Sequence, residues 1–307
     1  MTAPLFALVG PTASGKTAAA LALAEELDAE IVSVDSMLLY RGMDVGTAKP
    51  EPRERERVPH HLVDVAEPGE AFSVQRYQAL ARAALEGIGA RGRRPLLVGG
   101  SGLYFRAIVD DLDFPATDPA LRAALEEEAE REGQAALYAR LAATDPVAAS
   151  RIEPGNVRRT VRALEVAAVT GRPFSTFAST WDVYPAERVR AAGVVPDRAT
   201  LDRRIAARVH AMMADGFVEE VRGLLARGEV GRLTSGQAIG YAEVARHLAG
   251  ETTIEDAVEA TIRRTRAFAR RQLSWFRRDP RIRWFSTPDG AEAILDDLRA
   301  FLTGASA

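Results

Sequence analysis

The chain has 307 residues, of which 47% are apolar and 27% charged, and its formal net charge is −3. This composition is typical of a globular protein with a large core and excludes disordered and fibrous chains. Cysteine is absent, which excludes disulfides, thiolate nucleophiles and zinc-thiolate sites. The N-terminus lacks a signal-peptide pattern and no apolar run approaches the ~18 residues of a membrane span, so we expect a cytoplasmic protein without a membrane partner.

The first hundred residues are predicted to alternate between strands and helices. Apolar runs predict strands at residues 5–9, 31–34 and 95–98, and the segments between them predict helices at 16–27 and 73–90. Continuous apolar strands separated by helices are typical of a parallel sheet with helices on both faces. The expected fold class is therefore α/β.

From about residue 113 the pattern changes to helices alone. Helices are predicted at 120–131, 134–144 and 156–170, before a strand at 189–195 returns the chain to the sheet. Further helices are predicted at about 200–213, 216–227, 236–249, 254–278 and 291–302. We therefore expect a catalytic core of residues 1–112 and 186–307, with an all-helical insertion domain of residues 113–185.

Between the first strand and the first helix lies a phosphate-binding motif, G-x-x-x-x-G-K-S/T. Its residues are Gly10, Pro11, Thr12, Ala13, Ser14, Gly15, Lys16 and Thr17. In such a loop the backbone N–H groups and the helix dipole face a phosphate, the lysine neutralises its oxygens, and the threonine hydroxyl ligates Mg²⁺. The motif predicts a P-loop NTPase-like, nucleotide-binding or ATP-binding core. It leaves open whether a P–O bond is broken or diphosphate leaves from carbon.

Two further polar positions follow the second and third strands. Asp35 comes directly after one strand, and Ser101 lies in the turn Gly99–Gly102 after the other. The carboxyl ends of parallel strands are where open α/β sheets bind ligands. Asp35 is therefore a general base, a magnesium ligand or a helix N-cap, and Ser101 either lies beside the phosphate loop or caps a helix.

Seven segments, in this order and spacing, resemble the tRNA dimethylallyltransferase (tRNA isopentenyltransferase) family. They are residues 10–17, 35–50, 59–64, 96–104, 158–165, 237–241 and 270–276. The resemblance spans nearly the whole chain, which a shared phosphate loop alone does not explain. Two positions depart from the family pattern: Leu38 stands where many members have Gln, and Ser101 where Thr is usual.

The resemblance implies transfer of a dimethylallyl group from dimethylallyl diphosphate to N6 of adenosine 37, next to the anticodon of a tRNA, with release of diphosphate. It implies that Asp35 is the general base and that the phosphate loop and Mg²⁺, the latter on Thr17, hold the diphosphate. Ser101 is expected to hydrogen-bond the diphosphate or to fix Asp35, Arg208 to clamp the diphosphate, and Arg122 to contribute to activity. The expected partners are the anticodon stem-loop of tRNA and dimethylallyl diphosphate, and the protein is expected to be a monomer.

Four segments are predicted to contact the tRNA. They are Asp35, Ser36, Met37 and Leu38; Arg158, Arg159, Thr160, Val161 and Arg162; Gln237, Ala238, Ile239, Gly240 and Tyr241; and Arg270, Arg271 and Gln272. Gln237 and Tyr241 offer an amide and an aromatic ring to bases of the loop. The last segment lies among nine arginines between residues 263 and 283, which face a single acid, Asp279. At helical spacing they predict a cationic face that tracks the RNA backbone, with a merely solvated basic face as the alternative.

Three other functions remain open at this point. The phosphate loop alone favours a small-molecule phosphotransferase of the nucleotide-kinase type. An RNA-binding module could use the loop to sense a nucleotide without transferring anything. An enzyme that prenylates free AMP would share the chemistry. A phosphotransferase leaves the arginines and the helical insert unexplained, so the tRNA reading is favoured.

Overall fold

The computed structural model describes residues 4–110, 112–178, 183–228, 238–288 and 290–304. The chain divides into two compact units, Met1–Asp110 with Tyr184–Ala307, and Asp111–Val183. The sequence placed the helical segment at residues 113–185. No helix among the described residues has both the length and the apolar character needed to cross a membrane.

The first unit is built on a six-stranded parallel sheet, ordered β3-β2-β4-β1-β5-β6. Its strands are β1 Leu5–Val9, β2 Ala29–Val34, β3 His60–His61, β4 Arg94–Gly99, β5 Val189–Val195 and β6 Ile282–Ser286. Phe6 and Leu8 of β1 point to one face and Ala7 and Val9 to the other, and all four are buried. Helices therefore cover both faces, and the predicted α/β class is confirmed.

Four helices precede the second unit. They are α1 Lys16–Glu26, α2 Pro52–Arg57, α3 Val74–Ala90 and α4 Gly102–Val109. Helix α1 follows the phosphate motif and packs its alanines and leucines against β1, β2 and β4. The phosphate loop, the segment after β2 and the turn after β4 all leave the carboxyl ends of neighbouring strands. The sheet order thus brings the three predicted motifs to one edge.

The second unit has four α-helices within its described residues. They are α5 Pro119–Glu132, α6 Gln134–Thr144, α7 Pro146–Arg151 and α8 Val157–Thr170. Asp118, Asp145 and Asn156 begin three of them by accepting backbone N–H bonds as N-caps. Leu125, Leu141 and their neighbours form a core of its own. The unit therefore packs around an apolar centre separate from the sheet.

Five α-helices among the described residues complete the first unit. They are α9 Arg198–Ala214, α10 Phe217–Ala226, α11 Tyr241–Leu248, α12 Ile254–Phe276 and α13 Leu295–Thr303. Helix α13 packs beside α1 on one face of the sheet, and α9 packs against α12. The predicted helix at 236–249 begins at Tyr241 among the described residues. The one predicted at 291–302 starts as a 3₁₀ turn at Glu292–Ile294.

Candidate active site

The phosphate loop wraps from β1 into α1 with its backbone donors open. Gly15, the residue before α1, has φ +89°, a conformation that only glycine adopts readily. The N–H groups of Ala13, Gly15, Lys16 and Thr17 have no hydrogen-bond acceptor within the described part of the chain. Successive unpartnered N–H groups at a helix N-terminus form a concave anion site. The loop is therefore organised to receive phosphate oxygens.

Lys16 lies at the centre of this site. Its Nζ donates to the carbonyl of Pro11 at 3.2 Å. Burial lowers the pKa of Lys16 to about 8, the nearby carboxylate of Asp35 opposes this, and the positive charge of Arg208 adds to it. The three charged groups thus interact across one small site.

Arg208 on α9 connects two loops of the site. Its Nη1 donates to Oγ1 of Thr12 in the phosphate loop, and its Nη2 donates to the carbonyl of Thr47, both at 3.2 Å. Burial lowers its pKa, and Asp35 opposes that effect. The guanidinium therefore lies beside the phosphate loop, where an arginine that clamps a diphosphate would have to be.

Asp35 keeps one carboxylate oxygen free. Its Oδ1 accepts the backbone N–H of Met37 at 2.8 Å, whereas no hydrogen bond to Oδ2 occurs among the described residues. The Oγ of Ser101 accepts the N–H of Ser36 at 3.2 Å, and it makes no capping bond to α4. Ser101 therefore fixes the backbone next to Asp35, and its alternative role as a helix cap is not realised.

Gln272 on α12 is part of this site, which corrects its predicted contact with RNA. The side chain is 5% exposed, its Oε1 accepts the N–H of Thr12 at 2.9 Å, and its Nε2 donates to the carbonyl of Gly100 at 3.0 Å. A Cβ on Gly100 would lie 2.2 Å from that Nε2, and one on Gly102 would lie 2.1 Å from the ring of Trp275. Residues 270–276 therefore turn Gln272 and Trp275 inward against the glycine turn.

A cavity of about 920 Å³ opens beside the phosphate loop. Arg204, Arg208 and their neighbours on α9 line it, together with residues 13–18, 44–45, 48–52, 54–55 and 290–292. Its volume lies within the ~300–1,000 Å³ range of small-molecule sites. Nη1 of Arg204 is 3.9 Å from the position that a Cβ on Gly15 would take, so a second guanidinium reaches the loop.

The residues at this cavity fit a magnesium ion that is shared with a phosphate ligand. Within the described ranges no group of three or more His, Asp or Glu side chains is arranged to hold a metal. Thr17 is exposed and lines the cavity, and the buried Ser14 hydroxyl, also at the cavity, has no hydrogen-bond partner among the described residues. Mg²⁺ commonly takes one or two protein oxygens and completes its shell with water and substrate phosphates.

Lys49, the other lysine of the chain, has a structural role that the sequence did not reveal. Its buried Nζ donates to the carbonyl of Tyr40 at 2.7 Å and pairs with Asp44 at 2.6 Å and Asp64 at 2.5 Å. Asp64 also pairs with Arg55 at 2.7 Å. These contacts explain why segments 35–50 and 59–64 both carry charged residues: they fold together into one loop assembly next to the phosphate loop.

Tyr241 is buried, which corrects its predicted contact with an RNA base. The side chain is 0% exposed, its ring contacts that of Phe217 edge-on at 4.9 Å, and its hydroxyl donates to Glu220 at 2.6 Å. Ala238 is also buried, Gly240 is buried, and Ile239 is partly exposed. Gln237 lies outside the described residues.

In the second unit, the arginines expected at the site converge on a buried glutamate. Arg122 and Arg162 both contact Glu165, at 2.7 Å and 3.0 Å, and Glu165 is fully buried. Burial raises the pKa of Glu165, but the hydrogen bonds from the two arginines produce a net lowering. Thr160 and Val161, also predicted to contact the tRNA, have buried side chains, so a contact there would involve their backbone. Arg158 and Arg159 remain exposed.

The arginines of residues 263–283 divide into two groups. Four form ion pairs: Arg263 with Glu259, Arg264 with Glu243, Arg266 with Asp202, and Arg281 with Asp110 and Asp279. The other five are exposed and have no acidic partner among the described residues: Arg270, Arg271, Arg277, Arg278 and Arg283. We call Arg270, Arg271, Arg277 and Arg278 the arginine patch. The predicted cationic surface is therefore smaller than the sequence indicated.

Comparison with known proteins places this chain in a family. A family profile described as IPP transferase matches residues 38–279, and one described as isopentenyl transferase matches residues 3–64. The chain is 56% identical to the tRNA dimethylallyltransferase of Salinispora arenicola, over 96% of this chain and 86% of that protein. It is 54% identical to that of Kineococcus radiotolerans, over 95% and 93% of the two chains.

A solved structure agrees with these relationships. The crystal structure of a tRNA isopentenylpyrophosphate transferase from Bacillus halodurans has a TM-score of 0.72 and 38% identity, and the match covers 99% of this chain and 96% of that one. A eukaryotic dimethylallyltransferase that acts on tRNA shares the fold, with a TM-score of 0.78 over 94% and 75% of the two chains. The chain therefore belongs to the IPP transferase family of prenyl-transferring enzymes, the family of the tRNA dimethylallyltransferases.

Proposed function

We propose that this protein transfers the dimethylallyl group of dimethylallyl diphosphate to N6 of adenosine 37 in tRNA and releases diphosphate. One observation carries the proposal. The charges of Lys16, Arg208 and Asp35 interact at the mouth of a phosphate loop whose N–H groups are open. Two cations suit a departing diphosphate, and a carboxylate suits a proton that leaves the nucleophile.

The nucleophile is a weak one, because the lone pair of an exocyclic adenine amine is delocalised into the ring. In the proposed step N6 forms a bond to C1 of the dimethylallyl group, and the C1–O bond breaks with its electron pair leaving on diphosphate. The proton from N6 passes to Oδ2 of Asp35, which is free of other hydrogen bonds among the described residues. A positioned base typically contributes ~10²–10⁴ in rate. Ser101 contributes by fixing Ser36 beside that carboxylate.

The leaving diphosphate is proposed to lie in the phosphate loop. The N–H groups of residues 13 and 15–17, the Lys16 ammonium and the Arg208 guanidinium would neutralise its growing charge without reorganising. Thr17 would hold Mg²⁺, which supplies additional positive charge on the diphosphate oxygens. The cavity of about 920 Å³ beside the loop gives dimethylallyl diphosphate a route to this position.

A base stacked in an anticodon loop cannot place its N6 against Asp35, so the proposal requires the adenosine to flip out. Flipping costs a few kcal/mol and needs backbone contacts to compensate. The proposed cations for such contacts are the exposed Arg158 and Arg159 and the arginine patch. Ser36, Met37 and Leu38, which follow Asp35 directly, are proposed to contact the tRNA as well. We place the enzyme in the cytoplasm with its tRNA substrates and expect it to act as a monomer.

The deciding experiment incubates the purified chain with unmodified tRNA, dimethylallyl diphosphate and Mg²⁺, and then analyses the nucleosides by mass spectrometry. We expect one dimethylallyl adduct on an adenosine next to the anticodon, and release of one diphosphate per adduct. One parallel reaction contains free AMP in place of tRNA. A second contains ATP and no RNA. Product only with AMP would identify a nucleotide prenyltransferase, and ATP turnover without RNA would identify a phosphotransferase. Either result overturns the proposal.

A further inference from the structure

Glu220, on helix α10, binds the loop that contacts Arg208. Its Oε2 accepts the backbone N–H groups of Asp44 at 2.8 Å and Val45 at 2.7 Å, and its Oε1 accepts that of Gly46 at 3.1 Å. Three successive N–H groups around one carboxylate are the arrangement that proteins use to bind an anion. Here the anion is a side chain of the protein itself, so it fixes the conformation of residues 44–46.

Two aromatic residues next to Glu220 pack against the same loop. The Tyr241 hydroxyl donates to Oε1 of Glu220 at 2.6 Å. A Cβ on Gly46 would lie 2.2 Å from the ring of Phe217 and 2.7 Å from that of Tyr241, so both rings pack directly on the glycine backbone. The segment is therefore held both by hydrogen bonds and by packing.

The next residue of the loop contacts the candidate site. The carbonyl of Thr47 accepts Nη2 of Arg208, whose Nη1 donates to Thr12 in the phosphate loop. Residue 47 follows directly on the three residues that Glu220 binds. The three residues that Glu220 binds thus lead directly to the Thr47 carbonyl, which accepts one of the two hydrogen bonds that Arg208 donates among the described residues.

We infer that Glu220 is a positioning residue that holds the loop of residues 44–47 so that Arg208 is oriented toward the diphosphate. This inference rests on the proposed function, since it assigns diphosphate as the ligand of Arg208. Glu220 itself does not touch the substrate in this account. Its carboxylate acts through the Thr47 carbonyl and the guanidinium.

The test measures the binding of inorganic diphosphate by calorimetry in the full chain, together with KM for dimethylallyl diphosphate, kcat and tRNA affinity. In Glu220→Gln an NH₂ group replaces one acceptor, so at least one loop N–H loses its partner and the charge assistance of all three is lost. We expect the diphosphate Kd and the KM for dimethylallyl diphosphate to rise by about tenfold, with tRNA affinity unchanged. The matched control is Glu219→Gln, whose side chain is exposed and pairs only with Arg222 within the described residues. It should bind diphosphate as the wild type does.

A double-mutant cycle separates positioning from general loop damage. If Glu220 acts through Arg208, adding Glu220→Gln to Arg208→Ala causes no further loss of diphosphate binding. The inference is overturned if Glu220→Gln weakens diphosphate binding as much in the Arg208→Ala background as it does in the wild type. It is also overturned if Glu220→Gln alone binds diphosphate normally. If Glu220→Gln does not fold, Tyr241→Phe replaces it, with an expected loss of about threefold that vanishes in the Arg208→Ala background; unchanged binding there overturns the inference.

The same measurements keep the inference distinct from the proposed function. A wild-type chain that binds diphosphate but forms no adduct on tRNA overturns the proposed function, and the cycle on diphosphate binding still decides the role of Glu220. A chain that transfers dimethylallyl while Glu220→Gln binds diphosphate normally overturns only the inference.

Discussion

Gln272 accepts the backbone N–H of Thr12 at 2.9 Å, so helix α12 supports the phosphate loop from behind. Its other amide atom donates to the carbonyl of Gly100, which joins the loop after β1 to the turn after β4. A side chain in a basic segment that was predicted to bind RNA thereby supports the phosphate loop.

We expect Gln272→Ala to destabilise the protein by about 1–3 kcal/mol, because it leaves buried partners on two loops without a hydrogen bond. Diphosphate binding should weaken with it, while tRNA affinity stays near that of the wild type. Urea unfolding and the two binding assays check this. Arg271→Ala is the neighbouring control and should change stability by less than about 0.5 kcal/mol. Lower tRNA affinity with unchanged stability in Gln272→Ala would restore the RNA contact predicted from the sequence.

Asp35→Asn keeps the size of the side chain and an oxygen for the Met37 N–H, but it removes the proton acceptor. We expect kcat to fall by at least ~10² with little change in substrate affinity.

Lys16→Ala, in comparison with Asp35→Asn, should abolish turnover by removing charge from the diphosphate site while tRNA binding survives. Single-turnover kinetics with separate binding measurements distinguish the two effects. If Asp35→Asn loses magnesium-dependent diphosphate binding and retains its chemical step, Asp35 is a metal ligand.

The pKa of Lys16, lowered by burial to about 8, predicts how diphosphate binding depends on pH. Diphosphate binds the charged ammonium, and diphosphate itself also titrates in this range, so the relevant quantity is the ratio of wild-type affinity to that of Lys16→Arg, which stays charged. Without divalent cations this ratio should be constant below about pH 7 and fall as pH rises through 8. Where only the charged form binds, the limiting loss is tenfold per pH unit. The unfolded chain holds this proton up to the ordinary pKa of lysine, so the Lys16 contribution to stability rises between about pH 8 and 10.5. The Lys16→Arg profile should show only the titration of diphosphate; an affinity ratio that does not change with pH would exclude Lys16 as a titrating group.

The arginine patch predicts salt-dependent RNA binding. Removing Arg270 and Arg271 together by substitution with Ala should weaken tRNA binding and reduce the slope of log K against log salt by about 0.7 for each lost contact to unpaired RNA. Arg263→Ala is a matched control, because Arg263 lies on the same helix and already pairs with Glu259. Diphosphate binding should be unchanged in all variants. A double variant with a wild-type salt titration would show that the patch is only solvated.

Much of the sheet could be predicted because its central strands are continuous apolar runs. Strand β3 has two residues, and edge strand β6 carries exposed Arg283, so neither has that pattern. Helix α4 was considered only as the helix that Ser101 might cap. Element positions were therefore easier to predict than element ends.

The residues of the site divide in the same way. The phosphate loop was evident because its chemistry depends on consecutive residues. The roles of Gln272, Lys49 and Glu220 depend on contacts between residues 172, 15 and 174–176 positions apart, respectively, and no local pattern encodes them. The position of Tyr241 could not be predicted for a related reason: the sequence alone does not show whether a tyrosine ring is exposed to stack on a base or buried against Gly46.

The contact between Gly102 and Trp275 limits which sequences this site can explore. Because a Cβ at position 102 would lie 2.1 Å from the indole ring, even the smallest side chain requires that ring to give way. A substitution at 102 should therefore cost less stability where the side chain at 275 is already smaller, whereas reducing 275 alone leaves a void beside the glycine turn. We therefore expect the effects of substitutions at the two positions to be non-additive, with either single change destabilising the protein more than the matched pair does.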